Sequence, residues 1–437
     1  MSRLHKYLHR ELSRVLDATA DAATRHVISV GPHQVGQALH TTIESAPSGF
    51  VSGPVLAGEL RRQATTSVRS VVLFGALTRV DDVYTALHGV ADDWQPHQRL
   101  VSVSYNRLWR PVVKVLRALT GSRNNQENWI PPGEMSNLLE QSGFEIIERR
   151  TAVLLPLFLP ILGRFINRWF SPLPLLRHLC IFNVVVARPH RRARLGEPSV
   201  SVIVAARNEE GNIAALVDRV PRLAARQELI FVEGGSRDDT WGAIQRTIGT
   251  TNPSGSVVSA HKQTGVGKGD AVRLGFTHAT GDILIILDAD LSVPPEELTR
   301  FIELLRSNTC EFANGSRLVY PMERQAMQFL NLIGNRLFGV AFSYLLGQSV
   351  RDTLCGTKAL WAEDYRNIAR QRSHFGDFDP FGDFDLLFGA ARLHLRIRDV
   401  PVHYKERVYG STNISRFRHG VMLLRMTAVA ARKLRFI

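Results

Sequence analysis

Two aspartates one residue apart, Asp288 and Asp290, have positions in this sequence that suggest chemistry. They follow an unbroken apolar run at 283–287, which is typical of a strand buried on both faces. Open α/β sheets bind their ligands at the carboxyl ends of strands. Two carboxylates placed there repel each other unless a cation joins them. The pair therefore predicts a divalent-metal site, with solvated loop aspartates as the alternative for so short a motif.

Other polar residues recur at the ends of predicted strands in the second half of the chain. Asn208 and Glu209 follow one apolar run, Glu233 ends the next, and Lys268 lies in a glycine loop that opens a helix. Strands that end in polar, glycine-containing loops and feed helices predict a doubly wound sheet with a nucleotide crevice. Helix capping is an alternative role for Asn208 and Glu209, and Lys268 could be a solvated lysine.

Over residues 199–410, the order of these strand ends resembles the family 2 glycosyltransferases, which have the GT-A fold. The runs V-I-V-A-A-R-N-E at 202–209, V-E-G-G-S-R-D-D-T at 232–240 and D-A-D at 288–290 carry the resemblance. Glu233 and Gly234 replace the family's two aspartates, which leaves the bound nucleotide open. The resemblance implies a nucleotide-diphosphate sugar donor held by eight residues: Ala206, Asn208, Glu209, Glu233, Ser236, Asp238, Lys268 and Asp288.

The same resemblance implies a Mg²⁺ or Mn²⁺ ion at this site. Asp290 is the expected metal ligand, and Asp288 either helps it or contacts the ribose. The cation would neutralise the negative charge that builds on a departing pyrophosphate. Lys268 would be a second positive group, in a loop whose backbone can approach the phosphates closely.

A long apolar stretch at 322–347 precedes Asp352, Gly356 and Lys358. This pairing is similar to the polyprenyl-phosphate sugar transferases, whose corresponding helices lie on the membrane; helices packed in a domain or dimer interface are the alternative. The closing segment 397–413 also matches, except that Thr-Asn replaces the usual lysine. The resemblance implies a lipid-phosphate or cell-envelope glycan acceptor near five residues: Asp352, Lys358, Arg407, Thr412 and Asn413.

Four aspartates lie among aromatic residues at 377–385. The family places its catalytic carboxylate just before the helix predicted to start here, so Asp383 is the first candidate and Asp385 the second. Arg407 is the third catalytic candidate because its guanidinium suits phosphate. Inverting transfer to a hydroxyl requires a base, whereas a lipid phosphate is already an anion.

Residues 1–190 alternate predicted strands and helices, which indicates a second layered α/β unit. The strand order and the S-G-F-E-I-I turn at 142–147 resemble the Rossmann-like class I methyltransferases that bind S-adenosylmethionine. The glycine loop departs from the family pattern, reading G-P-H-Q-V-G at 31–36. Glu44 and Glu59 are not expected at a strand end, so the ribose-binding carboxylate is missing. We predict a degenerate unit in which S-adenosylmethionine binding is doubtful; an active bifunctional methyltransferase/glycosyltransferase is the alternative.

The length of 437 residues favours two domains. We place them at 1–190 and 199–415, with a linker at 191–198 and a basic amphipathic helix at 416–437. The Gly234 departure leaves a further alternative, a non-catalytic scaffold built on a sugar-nucleotide fold.

The net charge of +14 favours anionic partners. Basic residues are scattered, without an aromatic-interleaved block, which argues against nucleic acid. Three cysteines at spacings that suit neither zinc nor disulfides fit a cytoplasmic protein. No apolar run reaches the roughly 18–20 residues of a spanning helix. Arginines interleave with apolar residues at 150–180, as in segments that lie on anionic lipid. These features predict a peripheral protein at the inner membrane face.

Overall fold

The computed structural model describes residues 7, 10–12, 14–16, 25–30, 39–43, 50–66, 68–119, 128–155, 162–190, 196–321, 329–372, 382–407, 409 and 416–436. The chain divides into two compact units. The first comprises 1–191 together with 432–437, and the second comprises 192–431.

The first unit is built on a six-stranded sheet with the order β2-β1-β3-β4-β6-β5. Strand β6 runs antiparallel to β4 and β5, whereas the other neighbours are parallel. The strands are β1 (Arg25–Val30), β2 (Leu39–Ile43), β3 (Ser70–Phe74), β4 (Arg99–Tyr105), β5 (Phe144–Ala152) and β6 (Phe182–Pro189).

Apolar residues cover both faces of this sheet. Leu73 and Val185 belong to one buried cluster, whereas their neighbours Val72 and Val184 belong to another. Successive side chains of a strand point to opposite faces, so the central strands are buried on both sides.

Six helices follow the strands in the described part of the first unit. Pro54 and Pro132 lie in the first turns of two of them, where a missing N–H is harmless, and the Asp82 carboxylate accepts the Tyr84 amide at 2.9 Å to cap a third. The helices are α1 (Gly53–Ala64), α2 (Val83–Leu87), α3 (Val90–Asp93), α4 (Arg110–Leu119), α5 (Pro132–Gln141) and α6 (Leu162–Trp169), with 3₁₀ turns at Leu77–Arg79, Arg107–Trp109 and Leu176–Leu179.

The end of strand β2 differs from one sequence-based expectation. Strand β2 ends at Ile43, so a strand end lies one residue before Glu44 in the sequence, and Glu44 itself is outside the described residues. The short sequence L-H-T-T-I has little apolar character, and for this reason it was not recognised as a strand. Glu59 lies within helix α1 and pairs with Arg62, as expected for a residue away from strand ends.

The second unit is built on a seven-stranded sheet with the order β13-β11-β12-β10-β7-β8-β9. Strand β12 is antiparallel to β10 and β11, and the other neighbours are parallel. The strands are β7 (Val200–Ala206), β8 (Gln227–Glu233), β9 (Val257–Lys262), β10 (Ile283–Asp288), β11 (Phe312–Ser316), β12 (Lys358–Trp361) and β13 (Ile397–Pro401). The two mixed sheets with their helices confirm the α/β part of the predicted fold class.

Helices alternate with these strands. Helix α9 packs closely on β7, since a Cβ built at Gly275 would come within 2.5 Å of Ile203 Cγ2. The helices are α7 (Glu210–Arg219), α8 (Thr240–Thr247), α9 (Lys268–His278), α10 (Leu298–Arg306), α11 (Phe329–Leu346), α12 (Ala362–Arg370), α13 (Asp383–Arg392) and α14 (Arg416–Ala430), with a 3₁₀ turn at Pro295–Glu297. A π-helical turn at Ala431–Arg435 follows α14, and all of it except Ala431 belongs to the first unit.

The apolar stretch predicted at 322–347 contains helix α11. Its Phe342 packs against Phe384 and Phe388 of α13, with ring centroids 5.3 and 5.7 Å away. Leu337 and Val340 are exposed on the same helix. No helix within the described ranges is long and apolar enough to cross a membrane.

Candidate functional site

The register of three parallel strands brings their polar ends together. Asp288, the last residue of β10, pairs with Ala205 of β7, and Ala206 pairs with Glu233, the last residue of β8. Strands β10, β7 and β8 are direct neighbours, so the loops that follow them share one edge of the sheet. The sheet topology thus places Ala206, Glu233 and Asp288 in one region.

Asp288 forms an ion pair with Lys268, the first residue of helix α9. The two side chains are 24% and 28% exposed, so the pair is accessible from solvent. Although burial pushes the pKa of Asp288 upward, Lys268, Lys358 and Arg407 together hold it below its ordinary value. Asp288 therefore carries a negative charge that three cations stabilise.

Gly356 lies directly against this ion pair. A Cβ built on Gly356 would collide with the Lys268 ammonium and with both oxygens of the Asp288 carboxylate. Only a glycine allows the loop before β12 to approach so closely. The carboxylate and the ammonium are therefore held between α9 and this loop.

Asp290 lies two residues beyond the strand, in a tight turn. Its carboxylate accepts the Ser292 amide at 3.0 Å, and Leu291 between them adopts a positive φ of 56°. The side chain is only 7% exposed, and its Oδ2 is 2.7 Å from Nη2 of Arg407. A buried carboxylate normally requires such a cationic partner. Asp290 and Arg407 thus form a second carboxylate–cation pair beside the first.

Glu209 is a third acidic group of this region. Burial is the main cause that raises the pKa of Glu209 to about 7. A hydrogen bond from Asn212 Nδ2 at 2.6 Å opposes the shift, Asp290 and Asp288 add to it, and Arg407 opposes it. The Glu209 carboxyl is consequently close to half-protonated at neutral pH when no other cation is near.

The loops after β7 and β8 are tied together by hydrogen bonds. The Asn208 amide donates to Ser236 Oγ at 3.0 Å, and Asn208 Oδ1 accepts the Arg237 amide at 2.7 Å. Glu233 folds back to accept the Ser236 amide at 2.5 Å. Asn208 needs a positive φ of 58° to make these contacts, a conformation that asparagine tolerates well. These bonds fix the shape of the two loops, which form the wall of the predicted nucleotide crevice.

Asp238 closes the same wall from the α8 side. Its carboxylate accepts from Thr240 and from the Glu210 amide at 3.3 Å. Tyr409 donates its hydroxyl to Asp238 at 3.4 Å, and its ring lies on Gly211, where a Cβ would come within 2.8 Å of Cδ2. Tyr409 was not among the predicted site residues. Its position two residues after Arg407 is the signal that could have identified it.

Asp352, predicted on the acceptor side, has a fully buried carboxylate that is paired with Arg317. Arg317 binds its carboxylate with Nε at 2.7 Å, Nη2 at 2.9 Å and the backbone amide at 3.0 Å. Asn335 and the Leu354 amide donate to Oδ1 at 2.9 and 3.0 Å. Burial alone would raise the pKa of Asp352, but Arg317 lowers it to about 2. With five donors and no exposure, this carboxylate orders its loop and has no surface for an acceptor.

Arg317 was not predicted, although a sequence signal existed. It follows the buried strand β11, and a polar residue at such a strand end is the pattern used for Asp288. The other acceptor-side candidate with a described position, Lys358, is fully buried at the start of β12 and donates to the Cys355 carbonyl. Thr412 and Asn413 lie outside the described residues.

Asp385 lies in α13 and faces a cavity of about 140 Å³ between α9, α12 and α13. Arg372 Nε donates to its Oδ2 at 2.9 Å, and Arg273 Nη1 is 3.9 Å from the same oxygen. These contacts place the Asp385 carboxylate beside two arginines that line the same cavity. Asp383 is the first residue of α13. It follows Gly382, which packs on Gly269 next to Lys268, as a Cβ there would lie 2.7 Å from the Gly269 Cα.

The acidic pair fits a divalent cation that the substrate helps to hold. No three His, Cys, Asp or Glu side chains cluster as a complete metal site in the described segments. Mg²⁺ usually needs only one or two protein carboxylates, because substrate phosphates supply the remaining oxygens. Asp288 and Asp290 can supply such oxygens, and both already face positive groups, Lys268 and Arg407. The donor set therefore suits Mg²⁺ or Mn²⁺ bound together with a diphosphate.

Comparisons with known proteins identify the class of the second unit. Residues 201–368 match the model of Glycosyl transferase family 2. Undecaprenyl-phosphate 4-deoxy-4-formamido-L-arabinose transferases of Yersinia pestis (strain Pestoides F) and Yersinia pseudotuberculosis serotype O:3 (strain YPIII) are 25% identical over 232 residues. That alignment covers 51% of this chain and 65% of each relative, so the match spans less than two-thirds of those proteins.

Solved structures give a weaker likeness. Glucosyl-3-phosphoglycerate synthase from Mycobacterium tuberculosis, in complex with Mn²⁺, uridine-diphosphate and glucosyl-3-phosphoglycerate, is 21% identical with a TM-score of 0.39. It covers 54% of this chain and 80% of its own. A second structure, described as a mycobacterial protein, is 20% identical with a TM-score of 0.40 and covers 54% and 75%. TM-scores below 0.5 are too low to support an argument about this site.

The family match therefore lies within the second unit, at 201–368. The strand-end cluster falls inside the matched range except for Arg407 and Tyr409.

Proposed function

We propose that the protein is a metal-dependent inverting glycosyltransferase of GT-A fold that uses a nucleotide-diphosphate sugar. One observation carries the proposal: Asp288–Lys268 and Asp290–Arg407 form adjacent ion pairs at the end of β10. Two carboxylates for a cation and two cations for a diphosphate are the groups that this chemistry requires.

The ion pairs would change partners when the donor binds. Lys268 and Arg407 are about three-tenths exposed, so both can turn towards phosphate oxygens. Asp290 and Asp288 are then free to hold the divalent ion. Once bound, that ion would neutralise the charge that develops on the leaving diphosphate. Glu209, with its raised pKa, would lose its proton in this more positive surrounding.

The loops after β7 and β8 would hold the nucleoside. Asn208 and Ser236 hydrogen-bond each other and preform the wall, while Glu233 and Asp238 place carboxylates at its two ends. Ala206, a small residue at the end of β7, leaves room for the nucleotide. Tyr409 offers an exposed ring beside this wall.

The acceptor would be a polyprenyl phosphate, with a cell-envelope glycan as the second class. The names of the Yersinia relatives favour the lipid phosphate. Asp383, at the start of α13, would act as base for a hydroxyl acceptor. We assign Asp385 and Asp352 to positioning, because both are already paired with arginines. Thr412 and Asn413 stay predicted acceptor contacts, and Lys358 would add positive charge behind Asp288.

The proposed location is the cytoplasmic face of the inner membrane, where a lipid phosphate would be available. Such a location requires a surface that binds lipid, and the first unit provides a candidate.

A thermal-shift screen of the full chain tests the donor site. We expect UDP-, GDP- or dTDP-sugars to raise the Tm only when Mn²⁺ is present, since a ligand at a hundred times its Kd adds about 2.7 kcal/mol. Asp290→Asn should remove the shift. Asp218→Asn, which alters an exposed acid on α7, should retain it. A metal-independent shift, or one that survives Asp290→Asn, would contradict the proposal.

Measurements on the full chain also test two alternative functions. Binding of nucleotide without transfer of any sugar would favour a non-catalytic scaffold. The sheet order of the first unit supports the resemblance to methyltransferases. We therefore propose calorimetry of the full chain with S-adenosylmethionine. Saturable binding would replace the degenerate interpretation with a bifunctional one.

A further inference from the structure

The first unit exposes an unusual amount of apolar side chain on two neighbouring segments. Helix α4 and the turn before it contribute one segment, and helix α6 with the turn at Leu176–Leu179 contributes the other. We call their exposed surface the apolar face. Six of its side chains are between 51% and 86% exposed: Leu108, Val115, Leu162, Phe165, Leu175 and Leu179.

Hydrogen bonds join the start of α4 to the turn of the second segment. Asn106 Nδ2 donates to the carbonyls of His178 and Cys180 at 2.8 and 2.9 Å. Trp109 Nε1 donates to the Leu179 carbonyl at 2.9 Å. These bonds hold the start of α4 against the Leu176–Leu179 turn. Leu108 and Leu179 are therefore fixed near each other.

Aromatic residues extend the apolar face along α6. Phe165 and Phe170 contact edge to face, with centroids 6.2 Å apart. Trp169 stacks on Phe436 at 5.4 Å, and Arg168 donates to the Phe436 carbonyl at 3.0 Å. All these rings except Phe436 are more than one-third exposed. Tryptophan and phenylalanine beside arginine are typical of segments at a lipid–water interface.

The charge on both segments has one sign. Residues 106–119 and 162–181 contain no aspartate or glutamate. Their basic residues are distributed among the apolar ones: Arg107, Arg110, Lys114, Arg117, Arg164, Arg168 and Arg177. Among those whose side chains are described, Arg107, Arg110, Lys114 and Arg164 are exposed. Glu11, from the start of the chain, is the acidic group that interacts with Arg164. A surface that combines exposed apolar side chains with an excess of positive charge is complementary to an anionic bilayer.

We propose that the apolar face docks the first unit onto the surface of an anionic phospholipid membrane. The leucine, valine and phenylalanine side chains enter the boundary between headgroups and acyl chains. The guanidinium and ammonium groups stay at the level of the lipid phosphates, because their long stems allow the charges to reach them. The inference deepens the proposed membrane location, and it is independent of the sugar-transfer chemistry.

Co-sedimentation of the full chain with lipid vesicles tests this docking. We expect binding to mixed phosphatidylcholine–phosphatidylglycerol vesicles and little binding to phosphatidylcholine alone. Phe165→Glu and Leu175→Glu should each weaken binding by about tenfold or more, because each removes an apolar side chain that the bilayer would bury. Arg164→Gln should weaken it by about fivefold and reduce its sensitivity to salt. Leu175 is 86% exposed, so its replacement should leave the fold intact.

Val257→Glu is the matched control, because it introduces the same charge at a valine that is 70% exposed in β9 of the second unit. It should bind vesicles as the parent chain does. Equal binding by the parent chain, Phe165→Glu and Leu175→Glu would overturn the proposal, as would failure of the parent chain to bind anionic vesicles. Self-association that Leu175→Glu abolishes, without vesicle binding, would assign the face to a second copy and also overturn it. The metal-dependent nucleotide shift, measured in the same variants, separates failure of this docking from failure of the proposed function.

Discussion

Two carboxylate–cation pairs in the second unit have similar chemistry and different surroundings. Asp288–Lys268 is about one-quarter exposed and lies where three strands end. Asp352–Arg317 has a fully buried carboxylate whose oxygens accept five hydrogen bonds. The first pair can change partners at little cost, whereas the second cannot separate without leaving a charge in a medium of low dielectric. The comparison separates the proposed binding site from the framework that supports it.

The largest expected effect is on stability, at the buried pair. Asp352→Asn leaves the Arg317 charge without its counterion and should lower the free energy of unfolding by about 3–5 kcal/mol. Urea denaturation of the full chain, followed at more than one wavelength, measures the change. The matched Asp288→Asn should cost about 1 kcal/mol or less, because its pair is open to solvent. Similar losses in the two variants would remove the distinction between the pairs.

The exposed pair should instead control activity. Lys268→Met removes a positive group that we propose contacts the diphosphate, and should reduce kcat/KM for the nucleotide sugar by about 10²–10³-fold. The free energy of unfolding should change by about 1 kcal/mol or less. Steady-state transfer assays and denaturation of the same preparation test both statements. A stability loss as large as that of Asp352→Asn would show that Lys268 belongs to the framework.

Glu209, a single carboxyl near the exposed pair, provides a test through the pH dependence of stability. Its pKa of about 7 in the folded protein exceeds the ordinary 4.5, so the folded state binds the proton more tightly than the unfolded state. Stability from this group is therefore complete below about pH 4.5 and is lost as the pH rises to about 7, by about 2–3 kcal/mol. Glu209→Gln should flatten that part of the pH profile in metal-free buffer. An unchanged profile would show that another group causes the dependence.

The smallest expected effect concerns the contact of Gly356 with the exposed pair. Gly356→Ala should displace the Lys268 ammonium and the Asp288 carboxylate, both of which are ends of movable side chains. Stability should fall little, while nucleotide affinity in the presence of Mn²⁺ should fall by about tenfold, as expected when a charge-assisted contact is disturbed. Calorimetric titration of both proteins measures the difference. Unchanged affinity would indicate that the pair is not part of the donor site.

The sequence could predict the exposed pair because short apolar runs with polar ends identify parallel strands. Asp288, Glu233 and Ala206 lie at one edge of the sheet because each is at the carboxyl end of one of three parallel strands. The same pattern points to Arg317 at the end of β11, but it does not predict that Arg317 pairs with Asp352. Arg317 and Asp352 are 35 residues apart, and they meet because antiparallel β12 lies between β10 and β11. A four-residue strand has no periodicity long enough to be recognised.

The roles of single side chains depended on packing as well. Asp385 belongs to the same motif as Asp383, yet only the structure shows that Arg372 pairs with it at the cavity. Strand β2 is hard to predict because two adjacent threonines interrupt its apolar pattern. Tyr409 depends on Gly211, a contact between positions almost 200 residues apart that local patterns do not reveal.

The return of residues 432–436 to the first unit has a consequence for how the protein is made. Arg435 reaches Glu148 at 3.4 Å, and Phe436 stacks on Trp169, so the first unit is complete only with this segment. During synthesis, the ribosome must therefore finish the second unit before these contacts of the first can form. Folding of the first unit would end after translation of the second, even though its strands emerge earlier.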